Sequence, residues 1–386
     1  MTQTDNRLPR VVYAIGAVSF CTDLASEMIV PLLPALMATL GSSMLQLGLM
    51  QGLSELVVAL LKIASGRWSD ARTRKPWIVL GYTLSTLLRP LFAVVTAPWH
   101  AVLVRSGDRI GKGLRSAPRD ALLTDVVAEG QRGAAFGVQR AMDHAGALGG
   151  ALLGFLLLAL GCDLRTVFAL ALLPGLLSLV VLWFGVHEAP RQRSATVAVD
   201  PPDARARLLP FLVVVVLSAA SYGVDLFALV RLRDLGCELA WLPLLWAALH
   251  VVRSLLSAPL GRLSDRIGRR RLLLAGLLSQ AVVLGAFALS PALPMALLLF
   301  PLLGVPTACH EGAERGFVAD LTGAHKRGAS FGLYHAVQGT GAFLGALAIG
   351  WLWDHHGAPA ALGGAAAVAL LGAAALWFVP ARPVHA

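Results

Sequence analysis

The residues of this sequence best placed to do chemistry are ionisable side chains inside long apolar stretches. Asp23 and Glu27 stand four apart, so a helix would carry both carboxylates on one face, just ahead of Pro31 and Pro34, which should interrupt that helix. Ser218, Tyr222 and Asp225 make a comparable polar face later in the chain. Arg105, Asp108, Arg109, Lys112, Arg115, Arg119 and Asp120 fall within about 140° of a helical wheel, a stripe of positive and negative charge that cannot face lipid. His310, Glu311, Glu314 and Arg315 mix both signs at the matching place in the second half, and Asp143 follows Arg140 by three positions. Each such group costs roughly 2.5–3.5 kcal/mol to place in lipid, so it belongs to a functional site or to a pair. Both readings stay open here. The carboxylates exchange protons or touch substrate, or they are held in local pairs such as Asp108 with Arg105 or Lys112 and Asp143 with Arg140. Glu55, Lys62, His250 and Arg253 read as structural or snorkelling groups.

Other chemistries lack their residues. There is no HExxH, no GxSxG and no His/Asp pair at ligand spacing, so an enzyme is not expected. The absence of GxxxxGK[ST] argues against an ATP-driven pump. Cys21, Cys162, Cys237 and Cys309 show neither metal-ligand nor disulfide-framework spacing, and no metal or cofactor is expected.

The elements that position these groups must be membrane helices. Of 386 residues 57% are hydrophobic and 14% charged, with a mean hydropathy of +0.71, more apolar surface than a water-soluble fold buries. Stretches long enough to cross a bilayer recur at 11–40, 45–65, 77–97, 99–124, 134–160, 165–186, 208–234, 240–260, 271–290, 293–319, 329–353 and 358–379. The expectation is an all-α membrane protein with twelve transmembrane helices. The polar start MTQTDNRLPR runs into a long span without a small-residue cleavage site, so no removed signal peptide is expected. The net charge of +10 suits nucleic acid in principle, but its bases sit in alternate short connections. Arg67, Arg74, Lys75, Arg132, Arg191, Arg205, Arg262, Arg269, Arg270, Arg271, Lys326 and Arg327 would therefore be cytoplasmic, with both termini.

The chain also repeats itself. A shift of 195 residues lays GRWSDARTRK (66–75) on GRLSDRIGRR (261–270) and, without a gap, Asp125 on Asp320, Arg132 on Arg327, Gly137 on Gly332, Gly146 on Gly341 and Gly150 on Gly345. This gives two pseudo-symmetric six-helix halves, 1–186 and 208–386, joined by a polar cytoplasmic linker at 187–207. Parallel six-helix repeats are a transporter architecture.

On these motifs the sequence resembles the major facilitator superfamily over essentially its whole length. The 66–75 loop is similar to that family's signature between its second and third helices, with Thr73 where glycine is usual and Gly268 in the second copy. RSGDRIGKG (105–113) resembles the fourth-helix pattern of proton-driven exporters, with Arg109 in place of the first glycine. Gly137, Gly146, Gly150 and Gly154 reproduce the spacing of an antiporter fifth helix, although Ala151 replaces its proline and Gly332, Gly341 and Gly345 repeat the spacing in the eleventh helix. The resemblance implies a conformational latch made by Gly66, Asp70 and Arg74, with Asp265 and Arg269 as the weaker counterpart. It also implies that the first and seventh helices line a cavity.

The expected function is secondary active transport by alternating access, with proton-coupled efflux of small amphipathic or cationic compounds. Asp23, Glu27, Arg105, Asp108, Arg109, Asp143, Asp225, Glu311 and Glu314 are the coupling or substrate candidates, and Gly137, Gly146, Gly150 and Gly154 the helix-packing ones. One alternative takes the basic stripe as the site of an organic anion, a zwitterionic lipid or a siderophore-like metabolite. Another, of a different class, is a non-transporting membrane receptor. A monomer in a bacterial-type inner membrane is expected, with a small-molecule substrate and protons as partners and no nucleic acid.

Overall fold

A computed structural model describes residues 8–71, 73–127, 131–188, 204–322 and 327–379. Among these, every regular element is helical. Nine segments of the described chain are long and apolar enough to cross a membrane. The last of them, Phe331–Trp377, breaks at Gly357, whose φ of 81° and ψ of 175° lie outside the helical range. Two further helical rods complete the set. The α-helix Lys75–Leu88 continues as a tight 3-10 turn over Arg89–Ala93, and Pro98–Asp125 carries the charged stripe. The expected twelve helices result: α1 (Arg10–Thr39), α2 (Met44–Ala71), α3 (75–93), α4 (Pro98–Asp125), α5 (Arg132–Ala159), α6 (Leu164–Gly185), α7 (204–234), α8 (Trp241–Ile267), α9 (Arg269–Ala288), α10 (293–322), α11 (327–356) and α12 (358–377).

Local sequence explains the interruptions. In α1 the α-helix ends at Glu27 and resumes at Leu33 after a 3-10 turn at Val30–Leu32, which is where Pro31 and Pro34 remove backbone donors. Between α8 and α9, Gly268 adopts φ 92°, the left-handed region that a side chain would resist. Leu160, Phe184, Leu255, Val282 and Leu298 are more than half exposed, an apolar exterior suited to lipid rather than water.

Contacts divide the chain into two compact units. The first holds Met1–Val30, Leu61–Val95 and Val104–Arg193. Here α1 packs on α5 and α6, around a core that includes Val12, Ile15, Val18, Ile78, Tyr82, Leu122 and Leu182. Three glycines of α5 make that approach close. A Cβ added at Gly146, Gly150 or Gly154 would run into the α1 backbone at Phe20, Leu24 or Met28. Gly137 lies outside this groove, with nothing within 4 Å of such a Cβ.

The second unit holds Pro31–Leu60, Thr96–Leu103 and Ser194–Ala386. Its core gathers Phe211, Val215, Leu273, Leu277, Phe317 and Tyr334. Gly341 and Gly345 press on the α7 backbone at Val216 and Ala220, as their repeat mates do on α1. This unit also takes in Pro31–Leu60 and Thr96–Leu103 of the first repeat, so the contact boundary departs from the repeat boundary of 187–207. The reason lies in small residues: Gly48 and Gly52 of α2 admit the α11 backbone at Ala346 and Phe343. Asp354 of α11 then accepts hydrogen bonds from the first backbone N–H groups of α2, Met44 and Leu45, each at 2.8 Å.

Each unit repeats one ion pair. Arg74 binds Asp125 in the first, and Arg269 binds Asp320 at 2.9 Å in the second; the two pairs are 195 residues apart at both ends. The side chain of Asp70 and most of the 187–207 linker lie outside the described residues. The start of α3, which includes the Arg74 and Lys75 N–H groups, is held by the Glu188 carboxylate at 2.8 Å from each.

Candidate functional site

The stripe on α4 builds a charged centre inside the first unit. Asp108 is 1% exposed, and Arg89, Arg105, Arg109 and Arg115 are each under 8% exposed. Its closest partner comes from α3: Arg89 Nε donates to Oδ1 at 3.0 Å, while Arg89 Nη1 donates to the Thr22 carbonyl at 2.9 Å. The second oxygen, Oδ2, lies 3.5 Å from Arg105 Nη1 and 3.9 Å from Arg109 Nε. The expected local pairing of Asp108 with Arg105 is therefore present but secondary to a bond between helices. Sequence reading passed over Arg89. Its signal was a lone arginine within an otherwise apolar span.

Farther along α4, Arg115 stacks its guanidinium 4.5 Å from the centre of the Tyr82 ring. Its Nη1 donates to Ser85 Oγ at 2.6 Å and to the Gly81 carbonyl at 3.3 Å. Arg119 pairs with its neighbour Asp120 at 2.9 Å and donates to Ser19 Oγ at 3.2 Å. Gln139 of α5, with its amide oxygen turned inward, accepts from Arg119 Nη2 at 2.7 Å.

Asp23 and Asp143 sit in the same unit. Among the described residues Asp23 forms no hydrogen bond or ion pair, and the charges acting on it are those of Asp143, Lys112, Glu27 and Arg115. Asp143 Oδ1 is buried without a hydrogen-bond partner, and Arg140, exposed on the same helix, does not pair with it. The local Arg140–Asp143 pair is thus absent. Glu27, half-buried at the end of the first stretch of α1, has contacts of its own.

The second unit holds a centre of opposite sign. Glu314 is 2% exposed. Its Oε2 lies 2.9 Å from His310 Nδ1 and accepts from the Tyr334 hydroxyl at 3.1 Å, while Oε1 is buried without a partner. The Tyr222 ring lies 4.8 Å from that of His310, and its hydroxyl donates to the Pro306 carbonyl at 3.2 Å. By the 195-residue offset, Glu314 and Tyr334 correspond to Arg119 and Gln139, so the repeat keeps the contact between helices and inverts its charge. Asp225 binds Arg253 of α8 at 2.7 Å, a partner 28 residues away that helical spacing does not reveal. Glu311 and Arg315 are exposed. Asp265, 68% exposed, lies 3.6 Å from Arg269. Among the described residues no group of His, Cys, Asp and Glu has the geometry of a metal site.

Twelve membrane helices in a duplicated arrangement, with buried charge in each unit, define a polytopic transporter rather than an enzyme. The Major Facilitator Superfamily profile matches residues 15–253 and 211–386, and the chain belongs to that family. It is 31% identical over 360 residues to an uncharacterised MFS-type transporter of Methanocaldococcus jannaschii, covering 91% of this chain and 90% of that one. Against the multidrug resistance protein MdtH of Cronobacter sakazakii it is 30% identical over 324 residues, covering 82% and 79%. Among solved structures, a point mutant of the nucleoside transporter NupG superimposes with a TM-score of 0.82 at 14% identity, over 95% of this chain and 99% of that one. A bacterial homolog of the human lysosomal transporter Spinster gives 0.78 at 17% identity, over 96% of each. The protein is a multi-pass membrane transporter of this family.

Proposed function

We propose that this protein is a secondary transporter that exports small amphipathic compounds in exchange for protons, working by alternating access as a monomer in a bacterial-type inner membrane with both termini cytoplasmic. The observation that carries the coupling is the Asp23–Asp143 neighbourhood. One carboxylate has no hydrogen bond or ion pair among the described residues, and the other has an orphaned buried oxygen. Two half-buried carboxylates that feel one another's charge and are short of donors are an arrangement in which one takes up a proton and gives it back when a cation or solvent reaches it. The likeness to MdtH, a multidrug resistance protein by name, supports export. Glu314, with His310 and Tyr334, is the reserve proton site.

Neutralising the carboxylate separates coupling from movement. In proteoliposomes, Asp23→Asn is expected to abolish accumulation driven by a pH gradient while substrate counterflow, which needs no net proton movement, continues at a comparable rate. Accumulation at the wild-type rate in that variant would remove Asp23 from the coupling role.

A further inference from the structure

Four guanidiniums, those of Arg89, Arg105, Arg109 and Arg115, are buried around one buried carboxylate, Asp108. Three of the four have acceptors of their own. Arg89 has Asp108 and the Thr22 carbonyl, Arg115 has Ser85, Gly81 and the Tyr82 ring, and Arg105 has Asp108 and further contacts. Arg109 does not. Its side chain is 9% exposed, its nearest carboxylate oxygen is 3.9 Å away and already shared with Arg105, and its buried Nε has no hydrogen-bond partner. Among the described residues Asp108 is the sole carboxylate in ion-pairing range of Arg109; Asp120 is taken by Arg119, and Asp23 lies under the charges of Lys112 and Arg115. A nearly buried guanidinium whose Nε is orphaned carries a cost, and an anion that reaches its terminal nitrogens recovers part of it. Arg109 lies eleven residues into a 28-residue helix, about 17 Å along its axis, near the depth at which family architecture places substrate.

We propose that Arg109 is an oxyanion-binding residue, which makes the cargo an amphipathic organic anion carrying a carboxylate, phosphate or sulfonate rather than a cation. The planar guanidinium offers two parallel N–H donors to such a group, and the excess of buried positive charge around it disfavours an ammonium. The proposal rests on the transporter reading but not on its proton step, since binding needs no gradient.

The test uses the purified full chain in detergent and compounds that share one apolar body: 4-phenylbutyrate, its amide and 4-phenylbutylamine, with phenyl phosphate as a second anion and inorganic phosphate to show whether charge alone suffices. Thermal unfolding is followed at up to about 10 mM of each, the range of weak ligand binding. The organic anions are expected to raise the wild-type midpoint, and the amide and the amine to leave it unchanged. Arg109→Gln should lose the response while the unliganded variant unfolds no earlier than wild type, because a stranded charge has been removed. Arg109→Lys, which keeps charge but not the fork, should respond with roughly tenfold weaker apparent affinity. No response to either organic anion, an equal response to the amine, or an undiminished response in Arg109→Gln or Arg109→Lys would overturn the assignment. Anion binding that persists in Asp23→Asn, with gradient-driven transport lost, separates this site from the coupling step.

Discussion

Replacing Asp108 by asparagine changes one atom type at the point where three arginines converge. The carboxylate is 1% exposed and takes a 3.0 Å bond from Arg89, so Asp108→Asn leaves Arg89 and Arg105 facing a neutral amide. Removing one partner of a buried ion pair costs about 3–5 kcal/mol, and the retained amide oxygen puts this variant near the lower limit. Arg89→Gln should cost less, about 2 kcal/mol, because Asp108 keeps Arg105 and Arg109 nearby. In the double variant the second change should cost little, giving a coupling of about 1–2 kcal/mol. At roughly 2 °C per kcal/mol for a chain of this size, Asp108→Asn lowers the thermal midpoint by about 5 °C or more. Intrinsic fluorescence of the detergent-solubilised variants reads this directly. Additive losses, or a midpoint for Asp108→Asn within about a degree of wild type, would mean that Arg89 and Asp108 do not stabilise one another as the geometry requires.

Two other consequences are open to experiment. Asp354→Ala removes both acceptors at the start of α2 and should weaken its hold on α11 by about 1 kcal/mol. The thermal midpoint should then fall by roughly 2 °C, and an unchanged midpoint would deny the carboxylate that hold. The distribution of Lys and Arg predicts that reporter fusions in the 187–207 linker are active only as cytoplasmic reporters; periplasmic activity would reverse the orientation.

Much of the fold was legible because lipid imposes it. Hydropathy and a gap-free 195-residue offset pointed to twelve spans, including 77–97 and 99–124, which the structure places at 75–93 and 98–125. The offset aligns Arg74 with Arg269 and Asp125 with Asp320, and the structure shows that both aligned sets form ion pairs. Helical spacing was a poorer guide to the charged groups, because it reaches only neighbours on one helix. It offered Arg140 to Asp143, a pair that is absent, and Arg105 or Lys112 to Asp108, of which the Arg105 pair is present at 3.5 Å but secondary to Arg89 on α3; it did not reveal Arg253 on α8 as the partner of Asp225. Residues Pro31–Leu60 of the first repeat join the second unit, with Gly48 and Gly52 against α11. A repeat boundary does not show this, since it records ancestry rather than packing.

Proton movement evoked by substrate is the decisive observable. Proteoliposomes loaded with a pH-sensitive dye and held without an ion gradient should show a lumenal pH change when the compound giving the largest thermal shift is added outside, and Asp23→Asn should transport that compound by counterflow with the pH change gone. Substrate movement without any pH change in the wild type, or an equal pH change in Asp23→Asn, would contradict a proton-coupled carrier built around Asp23.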